Sequence, residues 1–185
     1  MSILPIRIYP DPVLRVRCSE ITEFNAELRK LAADMAQTMY DAPGLGLAAP
    51  QVGVEKRIAV VDVVASADSA GSDTSGSPGE LYVLVNPEIV GRDGSDVETE
   101  GCLSIPGVTE KVVRPSSIVV RAQGLDGADF ELEAQGLLAR AICHEVDHLD
   151  GVLFFEHLNG LRRQRVARQL RRLKQESEQE SVVTA

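Results

Sequence analysis

Five consecutive residues, His144-Glu145-Val146-Asp147-His148, constrain this chain more than any other feature of its sequence. In an α-helix, residues four apart stand one above the other on the same face. Two imidazoles in that relation converge on one point, where they can bind a single metal ion. Glu145 is turned away by one residue, which sets its carboxylate beside an open coordination position, where it can take and return a proton. The preceding residues suit a buried helix: Leu137, Leu138, Ala139, Ala141, Ile142 and Cys143 are apolar, and Gly151 supplies a C-terminal stop. A helix over 137–150 is therefore expected. The plain alternative is a polar helix that happens to hold two of the chain's three histidines.

A catalytic site of this kind needs three protein ligands and a fourth position left open. The longer pattern that would supply a further histidine meets Phe154 instead. Glu176, Glu178 and Glu180 lie in a charged tail with no apolar periodicity to hold them in place. Cys102 is the better candidate, in Glu100-Gly101-Cys102-Leu103-Ser104-Ile105-Pro106-Gly107, a short segment bounded by glycine and proline. A thiolate with two imidazoles favours Zn(II) or Fe(II) over hard cations. An ordinary buried thiol remains the other reading of Cys102 at this point. A third segment, Gly44-Leu45-Gly46-Leu47-Ala48-Ala49-Pro50-Gln51, is glycine-rich but lacks the Lys-Ser/Thr of a phosphate-binding loop. It also follows a helix, where a dinucleotide fingerprint follows a strand. Gln51 is its one side chain with donors suited to an active site.

Around these segments the chain reads as α+β. Leu28, Leu31, Ala32, Met35 and Met39 predict a helix over 25–40, capped by Asn25 and stopped by Pro43-Gly44. Strands are expected at 57–64, 81–86, 117–122 and 130–134, with a Ser/Gly/Asp-rich surface loop at 65–80. A last helix is expected from Asn159 to Lys174, packing by Val166, Leu170 and Leu173, with a frayed tail over 176–185. Short antiparallel or mixed sheets would then pack around the His-bearing helix, between an N-terminal and a C-terminal helix. With 185 residues there is room for one ordinary domain. Three cysteines argue against a disulfide framework. No apolar run reaches the ~18–20 residues of a membrane span, and Met1–Arg7 carries no basic region followed by an apolar stretch, so a cytoplasmic chain is expected.

The charge is uneven. There are 19 Lys and Arg against 28 Asp and Glu, which disfavours the body as a DNA binder. Yet Arg162, Arg163, Arg165, Arg168, Arg171, Arg172 and Lys174 fall between Leu161 and Gln175 with no acid among them. Either this is a solvated helix face, or the basic helix 160–175 docks on ribosomal RNA through phosphate contacts.

Together and in this order, Gly44–Gln51, Glu100–Ser104 and His144–Gly151 resemble the GxGxAAxQ, EGCLS and HExxH motifs of the peptide deformylase family, the last with its DHLxG-like ending. The resemblance runs from the helix before Gly44 to the C-terminal helix and implies a single catalytic domain over 1–185. It implies removal of the N-formyl group from the initiator methionine of nascent polypeptides, with release of formate. By the same resemblance Cys102, His144 and His148 would bind the metal, Fe(II) physiologically, with Zn(II), Ni(II) or Co(II) as substitutes. Glu145 would be the general acid/base, the Gln51 amide and the Leu103 N–H the oxyanion hole. Gly46 would position the substrate backbone, and Arg114 would reach a substrate carbonyl. Leu137, Ile142 and Val108 are expected to line a methionine pocket. Cys143 stands where many members have Gln, and Ala42 where acids are frequent; Cys143 is expected to be a core thiol, Cys18 a buried or indifferent one, and His157 structural or solvent-facing and not a ligand. A general metalloprotease and a non-catalytic metal-binding or ribosome-interaction protein with the same fold are the alternatives.

Overall fold

The computed structural model describes residues 2–63 and 80–183. In chain order the elements are α1 (Ala26–Asp41), β1 (Gly46–Ala48), β2 (Ile58–Val61), β3 (Tyr82–Asp93), β4 (Asp96–Cys102), β5 (Ile105–Arg114), β6 (Ser117–Gln123), β7 (Asp129–Gln135), α2 (Gly136–Leu149) and α3 (Gly160–Val183). Five strands form one sheet in the order β1-β2-β3-β6-β7, and β4 pairs with β5 in a separate hairpin. All these pairings are antiparallel, so the α+β expectation holds without a mixed sheet.

Helices cover both faces of the larger sheet. The Asn25 side chain accepts from Leu28 N at 3.0 Å and starts α1. Leu28, Met35 and Met39 then pack against Leu47, Ile58, Val60 and Val85. On the opposite face Leu138, Ile142, Cys143 and Val146 of α2 meet Val61, Leu84, Ile118 and Val120. Adjacent strand residues point to opposite faces. Val60 therefore faces α1 and Val61 faces α2, which explains why β2 reads as an unbroken apolar run. A third cluster seats the hairpin: Ile105, Val108 and Val112 pack on Leu14, Phe154, Val166 and Leu170.

Several expectations need correction. The strand expected over 81–86 continues to Asp93. The chain crosses Asn86-Pro87 through a register shift between Val85 and Glu88, with Asn86 at φ 52°. Its amide replaces the interrupted ladder, accepting from Ile21 N and donating to Ile21 O and Gln123 Oε1, each at 2.8 Å. β1, β4 and β5 were not expected at all. In the hairpin, Val97 and Val113 pair across the strands yet stay exposed, so its pattern is a weak alternation. α3 passes its expected end at 174 and runs through most of the 176–185 tail. Gln175, Glu176, Glu178, Gln179 and Glu180 are good helix formers, and an existing helix extends without an apolar stripe. Val166 and Leu170 pack as expected. The Leu173 side chain and the expected loop, apart from Glu80, lie outside the described residues.

After α2 the chain turns through Gly151 at φ +73°, where an added Cβ would lie 2.5 Å from Arg15 O. Alanine in the left-handed region costs about 1–2 kcal/mol, and here it must also separate two backbone segments. Gly151→Ala is expected to lower the unfolding free energy by at least about 2 kcal/mol. Urea denaturation reads this directly, and an unchanged midpoint would contradict the packing of the turn.

Candidate metal centre

α2 presents His144 and His148 one turn apart, with ring centroids 5.0 Å from each other. A third candidate donor comes from the hairpin. Cys102 ends β4 and pairs with Ile105, leaving Leu103-Ser104 as a two-residue turn. This brings Cys102 Sγ to 3.1 Å from His148 Nε2. One ligand atom each from Cys102, His144 and His148 lies within 4.8 Å of the other two, a spacing that one ion can bridge. The donor set of one soft sulfur and two imidazoles fits Zn(II) or Fe(II). Phe154, where the longer histidine pattern fails, stacks on the His144 ring at 6.2 Å and 23° and backs it from behind.

The remaining nitrogen of His144 is held by a buried carboxylate. Glu100 Oε2 lies 3.1 Å from His144 Nδ1, which leaves Nε2 for the metal. The same carboxylate accepts two bonds from Arg114, at 2.8 and 3.0 Å, and one from Arg140 at 2.8 Å. Burial opposes a charge on Glu100, but the hydrogen bonds from His144 and Arg114 outweigh it and hold the carboxyl far below its usual range. Arg114 Nη1 also donates to Asp147 Oδ2 at 2.5 Å, and His157 Nε2 meets the same oxygen at 2.6 Å. His157 is thus structural, as expected. Burial alone would lower the His144 pKa, yet its contacts with Cys102 and Glu100 raise it well above the ordinary value. At His148 burial and the neighbouring His144 charge push the pKa well down, which favours the neutral ring that a metal requires.

Glu145 is buried, and its Oε2 has no hydrogen-bond partner among the described residues. Burial pushes this carboxyl up to about 7, against the pull of His144. Gly46 makes room for it, since a Cβ at that position would overlap Glu145 Oε1. The Gln51 amide is fixed as well: Oε1 accepts from Ala48 N at 2.8 Å. Its Nε2 is thereby turned towards Cys102 Sγ at 3.5 Å and Ser104 Oγ at 3.3 Å.

These groups open on one cavity of about 390 Å³, with Gly46, Gln51, Cys102, Leu103, His144 and Glu145 in its wall. Val108 and Leu137, two of the three residues expected to line a methionine pocket, stand in its wall. Ile142 does not belong there; it is fully buried and faces the sheet. Arg114 is corrected too. At 4% exposure, with its guanidinium engaged by Glu100 and Asp147, it lies behind the candidate ligands and is not part of the cavity wall. The roles of Glu100, Arg140 and Asp147 were missed. A charged Arg140 inside the apolar run 137–143 was the signal that could have pointed to them.

An α+β fold whose HExxH helix meets a cysteine-bearing hairpin defines a metal-dependent hydrolase. Residues 3–164 match the family model for polypeptide deformylase, and the chain belongs to that family. It is 48% identical over 178 residues to a peptide deformylase of Acidobacterium capsulatum, covering 96% of this chain and 99% of that one. It is also similar to a solved peptide deformylase of Legionella pneumophila, with TM-score 0.82 and 40% identity over 96% of this chain and 98% of that one. A structure from Ehrlichia chaffeensis in complex with actinonin superposes with TM-score 0.81 and 38% identity, covering 93% and 98%. The chain's activity is that of the family, hydrolytic removal of the N-formyl group from newly made polypeptides.

The three cysteines separate by environment. Cys18 and Cys143 are each 4% exposed, and burial pushes both thiols up to about 11, whereas Cys102 opens on the cavity. Iodoacetamide is expected to alkylate Cys102 alone in the native, chelator-treated chain, and all three in denaturant. Peptide mass spectrometry checks this, and modification of Cys143 ahead of Cys102 would contradict it.

Proposed function

We propose that residues 1–185 work as one deformylase domain in which Cys102, His144 and His148 hold a single divalent ion. Fe(II) is the physiological choice in this reading, with Zn(II), Ni(II) or Co(II) able to replace it. The convergence of three donor atoms within 4.8 Å, beside the partnerless Oε2 of Glu145, is the observation that carries the reading. A divalent ion held there supplies Lewis acidity and makes a water nucleophilic near neutral pH.

The chain's residues divide the remaining work. Glu145 accepts a proton at its carboxylate as water attacks the formyl carbon, and then returns it to the departing amine. Gln51 Nε2 and the Leu103 N–H donate to the formyl oxygen as negative charge develops there. Being already fixed by Ala48, the Gln51 amide needs no reorganisation at that moment. The β1 backbone at Gly46 aligns the peptide, and the apolar wall at Val108 and Leu137 receives the methionine side chain. The substrates are N-formylmethionyl nascent peptides, encountered in the cytoplasm. Among the described residues, no helix is long and apolar enough to cross a membrane.

Glu145→Gln keeps the shape of the side chain and cannot accept the proton. It is expected to retain one metal ion per chain while formate release from a formyl-Met peptide falls by about 10²–10⁴-fold. Metal analysis beside a formate assay checks both halves. Unchanged turnover would remove Glu145 from the chemistry, and cleavage of internal bonds in unformylated peptides would favour a protease.

Arg162, Arg163, Arg165, Arg168, Arg171 and Arg172 are exposed along α3, and this supports a ribosomal RNA contact through residues 160–175. Co-sedimentation with ribosomes is expected at low salt, and its loss at high salt or on deletion of 160–185. Equal sedimentation of the truncated chain would end the idea.

A further inference from the structure

Arg140 is a charged residue in the apolar half of α2, one turn before His144 and 6% exposed. Among the described residues its guanidinium bonds only to the hairpin. Nη1 donates to Glu100 Oε1 at 2.8 Å and to Val112 O at 3.0 Å, and Nη2 donates to Asp96 O at 3.3 Å. These acceptors come from both strands of the hairpin that carries Cys102, whereas Arg140 shares α2 with His144 and His148. Glu100 closes the loop, taking Arg140 on one oxygen and His144 Nδ1 on the other.

An apolar cluster seats the β5 side of the hairpin on Leu14, Phe154, Val166 and Leu170, away from α2. β4 and β5 pair only with each other, and Val97 and Val113 face solvent. None of that cluster belongs to α2, so the sulfur's place relative to the two imidazoles also depends on polar contacts that tie the hairpin to α2. Arg114 ties its far end, from the last residue of β5 to Asp147. Arg140 ties its middle and its first residue at once, because a planar guanidinium offers several donors in a rigid fork. A single ammonium nitrogen could replace Nη1 at Glu100 and Val112 but could not also take the place of Nη2 at Asp96 O.

We infer that Arg140 is a positioning residue for metal retention: it sets the Cys102 hairpin against the His144–His148 helix and aims Glu100 at His144. The inference rests on the ligand assignment proposed above. Groups that orient a first ligand typically change metal affinity by about 10–100-fold when removed.

The test uses the full chain stripped by chelator and reloaded with Co(II), followed by its sulfur-to-cobalt absorption. Arg140→Gln and Arg140→Lys are expected to release Co(II) to a competing chelator about 10–100-fold and about 10-fold faster than the unaltered chain. Ile142→Val, on the same helix but facing the sheet, serves as a control for general loosening. It is expected to lower the melting temperature and leave Co(II) release within about twofold. Release within twofold in both Arg140 variants overturns the inference, as does equal acceleration by Ile142→Val. If the unaltered chain itself shows no sulfur-to-cobalt band, the ligand assignment fails and takes this inference with it.

Discussion

One buried carboxylate holds the functional half of this molecule together. Glu100 sits between Arg114, Arg140 and His144, and its two oxygens accept four contacts of 2.8–3.1 Å. Isolated in such a place an ionised carboxyl loses several kcal/mol of hydration, and only a full set of partners offsets the loss. Here the set is full, and Asp147 balances part of the surplus positive charge through Arg114. Removing one member of such a network typically costs about 3–5 kcal/mol, because the others stay buried without it. The arrangement therefore acts as a lock between the hairpin and α2. It is closed only when both pieces are in their final places.

The lock has a chemical consequence. Fixing His144 Nδ1 on Glu100 decides which ring nitrogen faces the cavity, and bracing β4 decides where the Cys102 sulfur stands. On the opposite wall, Gly46 lets β1 pass against Glu145, and Ala48 anchors the Gln51 amide. In the proposed mechanism such donors, aimed in advance, are what make electrostatic stabilisation effective, since none of them must turn during the reaction. Burial does the rest. It leaves Glu145 Oε2 without a partner among the described residues and raises its proton affinity towards neutrality, as proton transfer near neutral pH requires.

Local signals were readable wherever the physics is local. The spacing of apolar residues located α1 and α2 to within a residue or so at their ends, and Asn25 was legible as a cap because its bond to Leu28 spans one turn. The runs that became β2 and β6 showed themselves through their β-branched residues. The hairpin did not. Its apolar side chains are divided between Leu14, the Phe154 region and open solvent, so no face of it reads as a core face. β1 was hidden in a glycine-rich stretch that becomes a strand only because β2 lies beside it, pairing Gly46 with Val61. Arg114 was misread for a related reason. A lone arginine before proline looks exposed until its two acids, Glu100 and Asp147, arrive from other elements.

What the amino-acid order determined by itself was the pair of imidazoles on one helical face, the carboxylate beside them and the motif order that resembles the family. All of these follow from helix periodicity and short-range spacing. Tertiary structure decided which sulfur stands beside the two imidazoles, which charged groups stand behind it and which side chains face the cavity. Val108 and Leu137 turn towards that cavity, and Ile142 turns away. These choices depend on how a two-stranded hairpin docks against a helix some forty residues further along the chain. No local pattern encodes that docking, because the buried charges that fix it find their partners only after the chain has closed.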